Sequence, residues 1–149
     1  MDTVINVLHV VTAVFIVGPM AILPMTAMRA IRGGNGAQVA LLAKSTNLFS
    51  LLSLLTVVFG FGAMSLADER FNLSITTPWI LWSIILYAVA LGLSLFLVVP
   101  TMRRAAEALQ GAGTTASGGS GNRYPAVAAG SGVASLLLVA VVVLMVWKP

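Results

Sequence analysis

The stretch VINVLHVVTAVFIVGPMAILPMTAM, residues 4–28, decides the fold of this chain. An apolar run of about 18 or more residues is long enough to cross a lipid bilayer as a helix. The run contains His9, the only histidine in the protein. It also contains Pro19 and Pro24, each of which removes a backbone donor and is expected to kink or widen the helix. The sequence therefore predicts a membrane-spanning helix that carries one titratable side chain within its apolar length.

The composition extends this prediction to the whole chain. Of its 149 residues, 59% are apolar and 8% are charged, whereas soluble domains carry about 25% charged residues. A soluble protein this apolar would expose large aggregation-prone patches, but a surface that faces lipid needs no charge. The chain has no cysteine, which excludes disulfides, iron–sulfur clusters and thiolate zinc sites.

Four apolar runs predict an all-α fold, a four-transmembrane-helix up-down bundle that forms one membrane domain over residues 1–149. The predicted helices cover about residues 3–28, 38–67, 78–104 and 124–147. Short connections between them favour antiparallel neighbours. The stretch 108–123 is rich in glycine, serine and threonine, which predicts a flexible linker without a core of its own.

Most cations lie around two of the three predicted loops: Arg29, Arg32 and Lys44 at the first, and Arg103, Arg104 and Arg123 at the third. Lysine and arginine are enriched on the cytoplasmic side of membrane proteins. Loops 29–37 and 105–123 are therefore predicted to be cytoplasmic and both termini to lie outside, in a multi-pass protein of the bacterial plasma membrane. This placement explains the net charge of +4, so no nucleic-acid partner is predicted.

Polar and small residues mark one side of the predicted second helix: Ser45, Asn47, Ser50, Ser53 and Thr56. The fourth helix begins with AAGSGVAS, residues 128–135, which is also built from small residues. Small and hydroxyl side chains on a membrane helix usually mark a helix–helix contact, and a path for a polar ligand is the alternative. Besides membrane lipid, the predicted partners are other membrane protein subunits that pack on helices 1, 2 and 4.

His9 admits several interpretations. An imidazole at membrane depth is costly unless it faces protein, so it either makes a structural hydrogen bond to another helix or has a function. The functional alternatives are a haem axial ligand, a hydrogen-bond partner of a quinone and a proton relay. One histidine cannot supply both axial ligands of a haem, and Met145 and Lys148 complete the candidate pocket for haem b or a quinone. No catalytic set and no metal cluster is predicted, because Asp68 and Glu69, the only neighbouring acids, lie in a loop.

Three segments resemble an uncharacterised bacterial family of predicted four-helix integral membrane proteins. They are LHVVTAVFIVGP at 8–19, PWILWSIILYAVALGLSLFLVVPTMRR at 78–104 and LMVWKP at 144–149. This resemblance implies a fold and no established activity. The Leu-His opening, Pro24 and the Lys-Pro terminus are also remotely similar to the membrane protoporphyrinogen oxidase family of haem proteins. That similarity implies that His9 is a haem histidine and that Lys148 corresponds to a terminal lysine.

Two functions follow as hypotheses. In the first, the protein is an accessory or stabilising subunit of a larger membrane complex, such as a respiratory oxidoreductase, and has no complete active site of its own. In the second, it is a self-contained membrane redox protein that binds haem b or a quinone through His9. The first hypothesis depends on the helix faces that consist of small residues and on the missing catalytic set. The second depends on the single histidine.

Overall fold

The computed structural model describes residues 2–66, 75–111 and 124–147. These residues form helices only. The α-helices are α1 (Asp2–Thr12), α2 (Gly18–Arg32), α3 (Gly36–Ser65), α4 (Pro78–Leu93), α5 (Val99–Gly111) and α6 (Tyr124–Trp147). Two π-helical segments, Ala13–Val17 and Ser94–Val98, join α1 to α2 and α4 to α5.

Four helical spans are long and apolar enough to cross a membrane: Thr3–Arg32, Gly36–Ser65, Pro78–Gly111 and Val127–Trp147. The predicted all-α bundle of four candidate membrane-spanning helices is therefore confirmed. The spans differ from the expected boundaries mainly at their ends. The second begins at Gly36, where the side chain of Asn35 accepts a hydrogen bond from the backbone N–H of Gln38 at 3.1 Å.

The third helix protrudes beyond the predicted membrane segment, as its sequence indicates up to about Gln110. Its last part, α5, continues to Gly111, so the first residues of the predicted cytoplasmic stretch 105–123 are helical. The reason is packing, because Met102, Ala105 and Ala106 are buried against neighbouring helices. Only the first residues of the predicted linker, 108–111, lie in the described part of the chain, and 112–123 lie outside it.

The two π-helical segments each end just before a proline. In the first, the backbone N–H of Gly18 bonds to the carbonyl of Ala13, and Pro19 follows. In the second, the N–H of Val99 bonds to the carbonyl of Ser94, and Pro100 follows. A proline ring clashes with the carbonyl four residues before it, and the wider π turn gives the ring room. The widening expected before Pro19 is thus present.

The tightest core lies at one end of the bundle, where α2, α3 and α5 meet. Its fully buried residues are Ala27, Val39, Ala43, Val98, Met102, Ala105 and Val127, and alanine lets the backbones approach closely. Four exposed arginines lie at this end, on α2 and α5: Arg29, Arg32, Arg103 and Arg104. It is called the arginine end below, and the opposite end is called the His9 end.

At the His9 end the helices pack in two pairs, α1 on α3 and α4 on α6. Among the described residues, α1 has no extensive interface with α4 or with α6. Apolar side chains cover the outside, and the largest exposed fractions include 84% for Phe96 and 69% for Phe15. Such a surface suits lipid and would be unfavourable in water.

The small-residue faces of α3 and α6 pack within the chain. Ser50, Ser53 and Thr56 of α3 are buried in the bundle. At Gly130 of α6, a β-carbon would lie 3.0 Å from a side-chain carbon of Leu97, so this helix also approaches its neighbour closely. These two faces, which were expected to contact other subunits, therefore already have partners inside the bundle.

Candidate functional site

A stripe of hydroxyl groups follows the buried side of α3. It consists of Thr46, Ser50, Ser53 and Thr56, which recur every three or four residues and so share one face of the helix. Two members of the predicted polar set, Ser45 and Asn47, are half-buried and flank this line instead of forming it. Polar side chains of α1 and α4 contact α3 along this stripe.

His9 of α1 contacts this stripe near the His9 end. Its Nδ1 lies 2.8 Å from the backbone carbonyl oxygen of Thr56. A carbonyl can only accept, so Nδ1 carries the hydrogen and donates it. In the neutral imidazole the lone pair then lies on Nε2, which makes no hydrogen bond within the described residues. The contact fixes both the orientation of the ring and the nitrogen that remains available.

Gly60 of α3 makes this contact sterically feasible. A β-carbon at Gly60 would lie 2.9 Å from Cε1 of His9 and 3.2 Å from Nδ1. Distances below about 3.0 Å do not occur between real β-carbons and their neighbours. One turn before His9 on α1, Ile5 packs over Gly62 of α3, where a β-carbon would lie 3.5 Å from Cγ2 of Ile5. The sequence indicated only that Gly60 belongs to a small-residue pattern, and its partner could not be read from it.

Tyr87 of α4 reaches the same stripe from the other helix pair. Its phenol oxygen lies 2.5 Å from Oγ of Ser53, and Oγ of Ser53 lies 2.6 Å from the carbonyl oxygen of Ser50. The single hydroxyl hydrogen of Ser53 goes to that carbonyl, so Tyr87 is the donor in its bond to Ser53. Sequence reasoning missed Tyr87, since an aromatic residue in an apolar helix gives no sign of its partner.

Two hydroxyl groups of the stripe have no partner. Oγ of Ser50 and Oγ1 of Thr56 are buried and make no hydrogen bond. Leaving a buried hydroxyl unpaired costs about 1–3 kcal/mol, so such groups call for an explanation. They lie one turn on either side of Ser53, and Thr56 is also the residue whose carbonyl holds His9. The site therefore has unused hydrogen-bonding capacity next to both His9 and Tyr87.

Of the other two predicted site residues, Met145 lies in the described part of the chain. Met145 lies half-buried on α6, which packs on α4 and α2, whereas His9 lies on α1, which packs on α3. Lys148 lies outside the described residues. Within those residues there is also no group of histidine, cysteine or carboxylate side chains that could hold a metal ion.

Comparison with known proteins identifies the family. A sequence model of a family of predicted integral membrane proteins (DUF2269) matches residues 3–149. The chain belongs to this family. The expected membership of an uncharacterised membrane family is thereby confirmed, and the family description names no activity. No curated protein and no solved structure matches the chain, and the similarity to the protoporphyrinogen oxidase family stays a hypothesis.

Proposed function

We propose that this integral membrane protein binds a lipid-soluble redox group, haem b or a quinone in its reduced, quinol form, through Nε2 of His9. One observation carries the proposal, namely the hydrogen bond from Nδ1 of His9 to the carbonyl oxygen of Thr56. Histidines that hold a metal or a ligand commonly donate their second ring nitrogen to a backbone carbonyl, which sets the tautomer and the direction of the free lone pair. Gly60 supports the same geometry by leaving room for the ring.

Among the described residues, His9 would hold a haem through Nε2. A single proximal histidine is sufficient in several classes of haem protein. Met145 and Lys148 remain the candidates that the sequence names for a second ligand. A bound haem or quinone would supply the electron-transfer chemistry, while the chain orients the group and excludes water from it.

The test is to purify the protein in mild detergent, record a reduced-minus-oxidised visible spectrum and extract any quinone into organic solvent for chromatography. His9→Ala is compared with Ser83→Ala, which removes a buried hydroxyl that bonds only to its own helix, at the carbonyl of Trp79. We expect haem or quinone in the wild type and in Ser83→Ala, and its loss in His9→Ala. A folded protein that carries neither group, or a His9→Ala variant that keeps it, would refute the proposal.

A second function, that of an accessory subunit of a larger membrane complex such as a respiratory oxidoreductase, is favoured by Asn6. This polar side chain is exposed on α1 and makes no hydrogen bond within the described residues. It lies in an open groove with Thr3, Val7, Val10 and Val11. A polar side chain on the outer surface of a membrane helix is a typical contact for a neighbouring helix.

Native gel electrophoresis followed by mass spectrometry tests this second function. An accessory subunit is expected to co-migrate with a larger complex, and Asn6→Val is expected to weaken that association. Thr26→Val is the control, because the Thr26 hydroxyl is bonded within its own helix, 3.5 Å from the carbonyl of Ile22. Migration of the wild type as a single small species would exclude the accessory role.

We further propose that the arginine end faces the cytoplasm of a bacterium, with both termini outside. The support is the placement of the exposed Arg29, Arg103 and Lys44 at or near that end. The chain lacks cysteine, so single cysteines can report on each side. A membrane-impermeant maleimide is expected to label Ile75→Cys on intact cells and to label Ala37→Cys only after the membrane is opened. The reverse pattern would invert the topology.

A further inference from the structure

We propose that α1 pairs with the α1 helix of a second copy of this chain, side by side in the membrane, through an open groove that contains Asn6. The groove is lined by Thr3, Asn6, Val7, Val10 and Val11, and it is called the Asn6 groove below. This inference goes beyond the proposed function and does not depend on the ligand of His9. It is supported by the unused amide, the spacing of the groove residues and their ability to pair with themselves.

The amide of Asn6 has hydrogen-bonding groups that the chain itself does not use. The side chain is exposed on α1 and makes no hydrogen bond within the described residues. In contrast, the hydroxyl group of Thr12, also on α1, donates within its own helix to the carbonyl oxygen of Leu8 at 2.8 Å. Acyl chains offer an amide no partner, so a second helix that supplies both a donor and an acceptor is favoured over lipid at this position.

The spacing of the groove residues suits a contact between two parallel helices. Thr3, Asn6 and Val10 follow one another along α1 at intervals of three and four residues. This alternation marks the contact line of a parallel helix pair, in which one asparagine among apolar residues fixes the register. Val7 and Val11 lie beside that line and are exposed, so their side chains are available to pack on a second helix.

The Asn6 groove lies outside the bundle, because α1 packs on α3 through other residues. His9 of α1 lies over Gly60 of α3, and Ile5 lies over Gly62. These contacts leave the groove open, and Val10 within it is 58% exposed. Among the described residues, α1 also has no extensive interface with α4 or with α6. A second helix can therefore pack on α1 without displacing a contact of the bundle.

A second copy is the occupant because each residue of the groove can pair with its own counterpart. Copies of one chain insert with the same orientation, so their α1 helices run parallel and equivalent residues lie at the same depth. A twofold contact then brings each residue close to itself, where a charge would repel and a group that only donates would stay unpaired. The amide of Asn6 and the hydroxyl of Thr3 each donate and accept, and the other three residues of the groove are valines.

The test is oxidative cross-linking of single-cysteine variants of the full chain, which has no cysteine of its own. Each variant is purified, reconstituted in phosphatidylcholine vesicles without any other protein, and oxidised with copper phenanthroline. Thr3→Cys and Val10→Cys place the thiol in the groove. Val4→Cys and Leu8→Cys are the matched controls, because Val4 and Leu8 are exposed at similar depths on another side of α1. We expect a disulfide-linked dimer from the two groove variants and little or none from the controls.

Substitutions at Asn6 then test the amide in the Val10→Cys background. Asn6→Val is expected to lower the yield of dimer about three- to tenfold, as the loss of hydrogen bonds between membrane helices requires. Asn6→Gln keeps an amide and is expected to keep most of the dimer. Thr26→Val, whose hydroxyl is bonded within its own helix, is expected to leave the yield unchanged. Since Asn6 makes no hydrogen bond within the described residues, a lower yield in Asn6→Val reports on association and not on folding.

The outcomes also separate a second copy from the other possible occupants of the groove. Equal cross-linking from both sides of α1, or a yield that Asn6→Val does not change, would overturn the inference. If the purified protein forms no dimer while Asn6→Val weakens its association with a larger complex in native membranes, the groove holds a different subunit. In that case the inference fails and the accessory role stands. If neither a dimer nor a larger complex forms, lipid fills the groove and the inference fails as well. Binding of a ligand by His9 is measured separately and decides none of these outcomes.

Discussion

Gly60→Ala tests whether His9 is held as the structure indicates. The new β-carbon would lie 2.9 Å from Cε1 of His9, so the ring must move. Moving it breaks the 2.8 Å hydrogen bond to the carbonyl oxygen of Thr56, at a cost of about 1–3 kcal/mol when the half-buried donor is left unpaired. Alanine in place of glycine within a helix stabilises by about 1 kcal/mol. The net change in the free energy of unfolding is therefore a loss of about 0–2 kcal/mol.

In a His9→Ala background the clash is absent and only the gain of about 1 kcal/mol remains. The double-mutant cycle should therefore show a coupling energy of about 1–3 kcal/mol between positions 9 and 60. Gly60→Ala is expected to destabilise the wild type and to stabilise the His9→Ala variant. The measurement is unfolding in mild detergent by titration with sodium dodecyl sulfate, followed by tryptophan fluorescence, for the wild type, both single variants and the double variant.

Gly92→Ala is the matched control. Gly92 lies within α4, and a β-carbon there would meet no atom within 4 Å. It should stabilise the protein by about 1 kcal/mol in both backgrounds. A coupling energy below about 0.5 kcal/mol between positions 9 and 60 would refute the packing of His9 on Gly60.

Five further substitutions, at four positions, test the packing and the hydrogen bonds in the same assay. Gly36→Ala should destabilise the protein by about 1–3 kcal/mol, because the new β-carbon would lie 3.0 Å from a backbone oxygen of α5. An unchanged free energy of unfolding would contradict the close packing at the arginine end. Asn35→Ala should cost about 1 kcal/mol of helix capping and Asn35→Ser much less, so equal losses would argue against the cap. Ser50→Ala should be neutral or stabilise the protein by up to about 1 kcal/mol, because the Ser50 hydroxyl is unpaired. Ser53→Ala should cost about 1–3 kcal/mol, because it leaves the Tyr87 hydroxyl without an acceptor. A larger loss for Ser50→Ala than for Ser53→Ala would contradict the hydrogen-bond assignment.

The spans were predictable because they depend on local composition. A helix that lies in lipid must satisfy its backbone internally, so a long apolar run has few other structures open to it. The end of the third span at Gly111 depends on packing as well as on local composition. Residues 105–111 include polar side chains, and they are helical because Ala105 and Ala106 pack against α2 and α3, which are distant in sequence.

The site was predictable only in part. His9 stands out in the sequence because a polar, titratable side chain in an apolar run is costly. Its acceptor is a backbone carbonyl, on Thr56, which leaves no trace in the residue type. Met145 is named by the sequence as a partner of His9, and sequence alone does not determine which helices are neighbours.

The sequence by itself determined that the chain has four apolar helices long enough to cross a membrane and that His9 is an unusual side chain within them, since both depend on how each segment partitions between water and lipid. Only the tertiary structure decided which groups meet. It placed His9 on Gly60 and Thr56, connected Tyr87 to Ser53 and left the hydroxyl groups of Ser50 and Thr56, on either side of Ser53, unpaired. The physical reason is that hydrogen bonds between helices depend on their relative rotation and distance, which the packing of all four helices sets together.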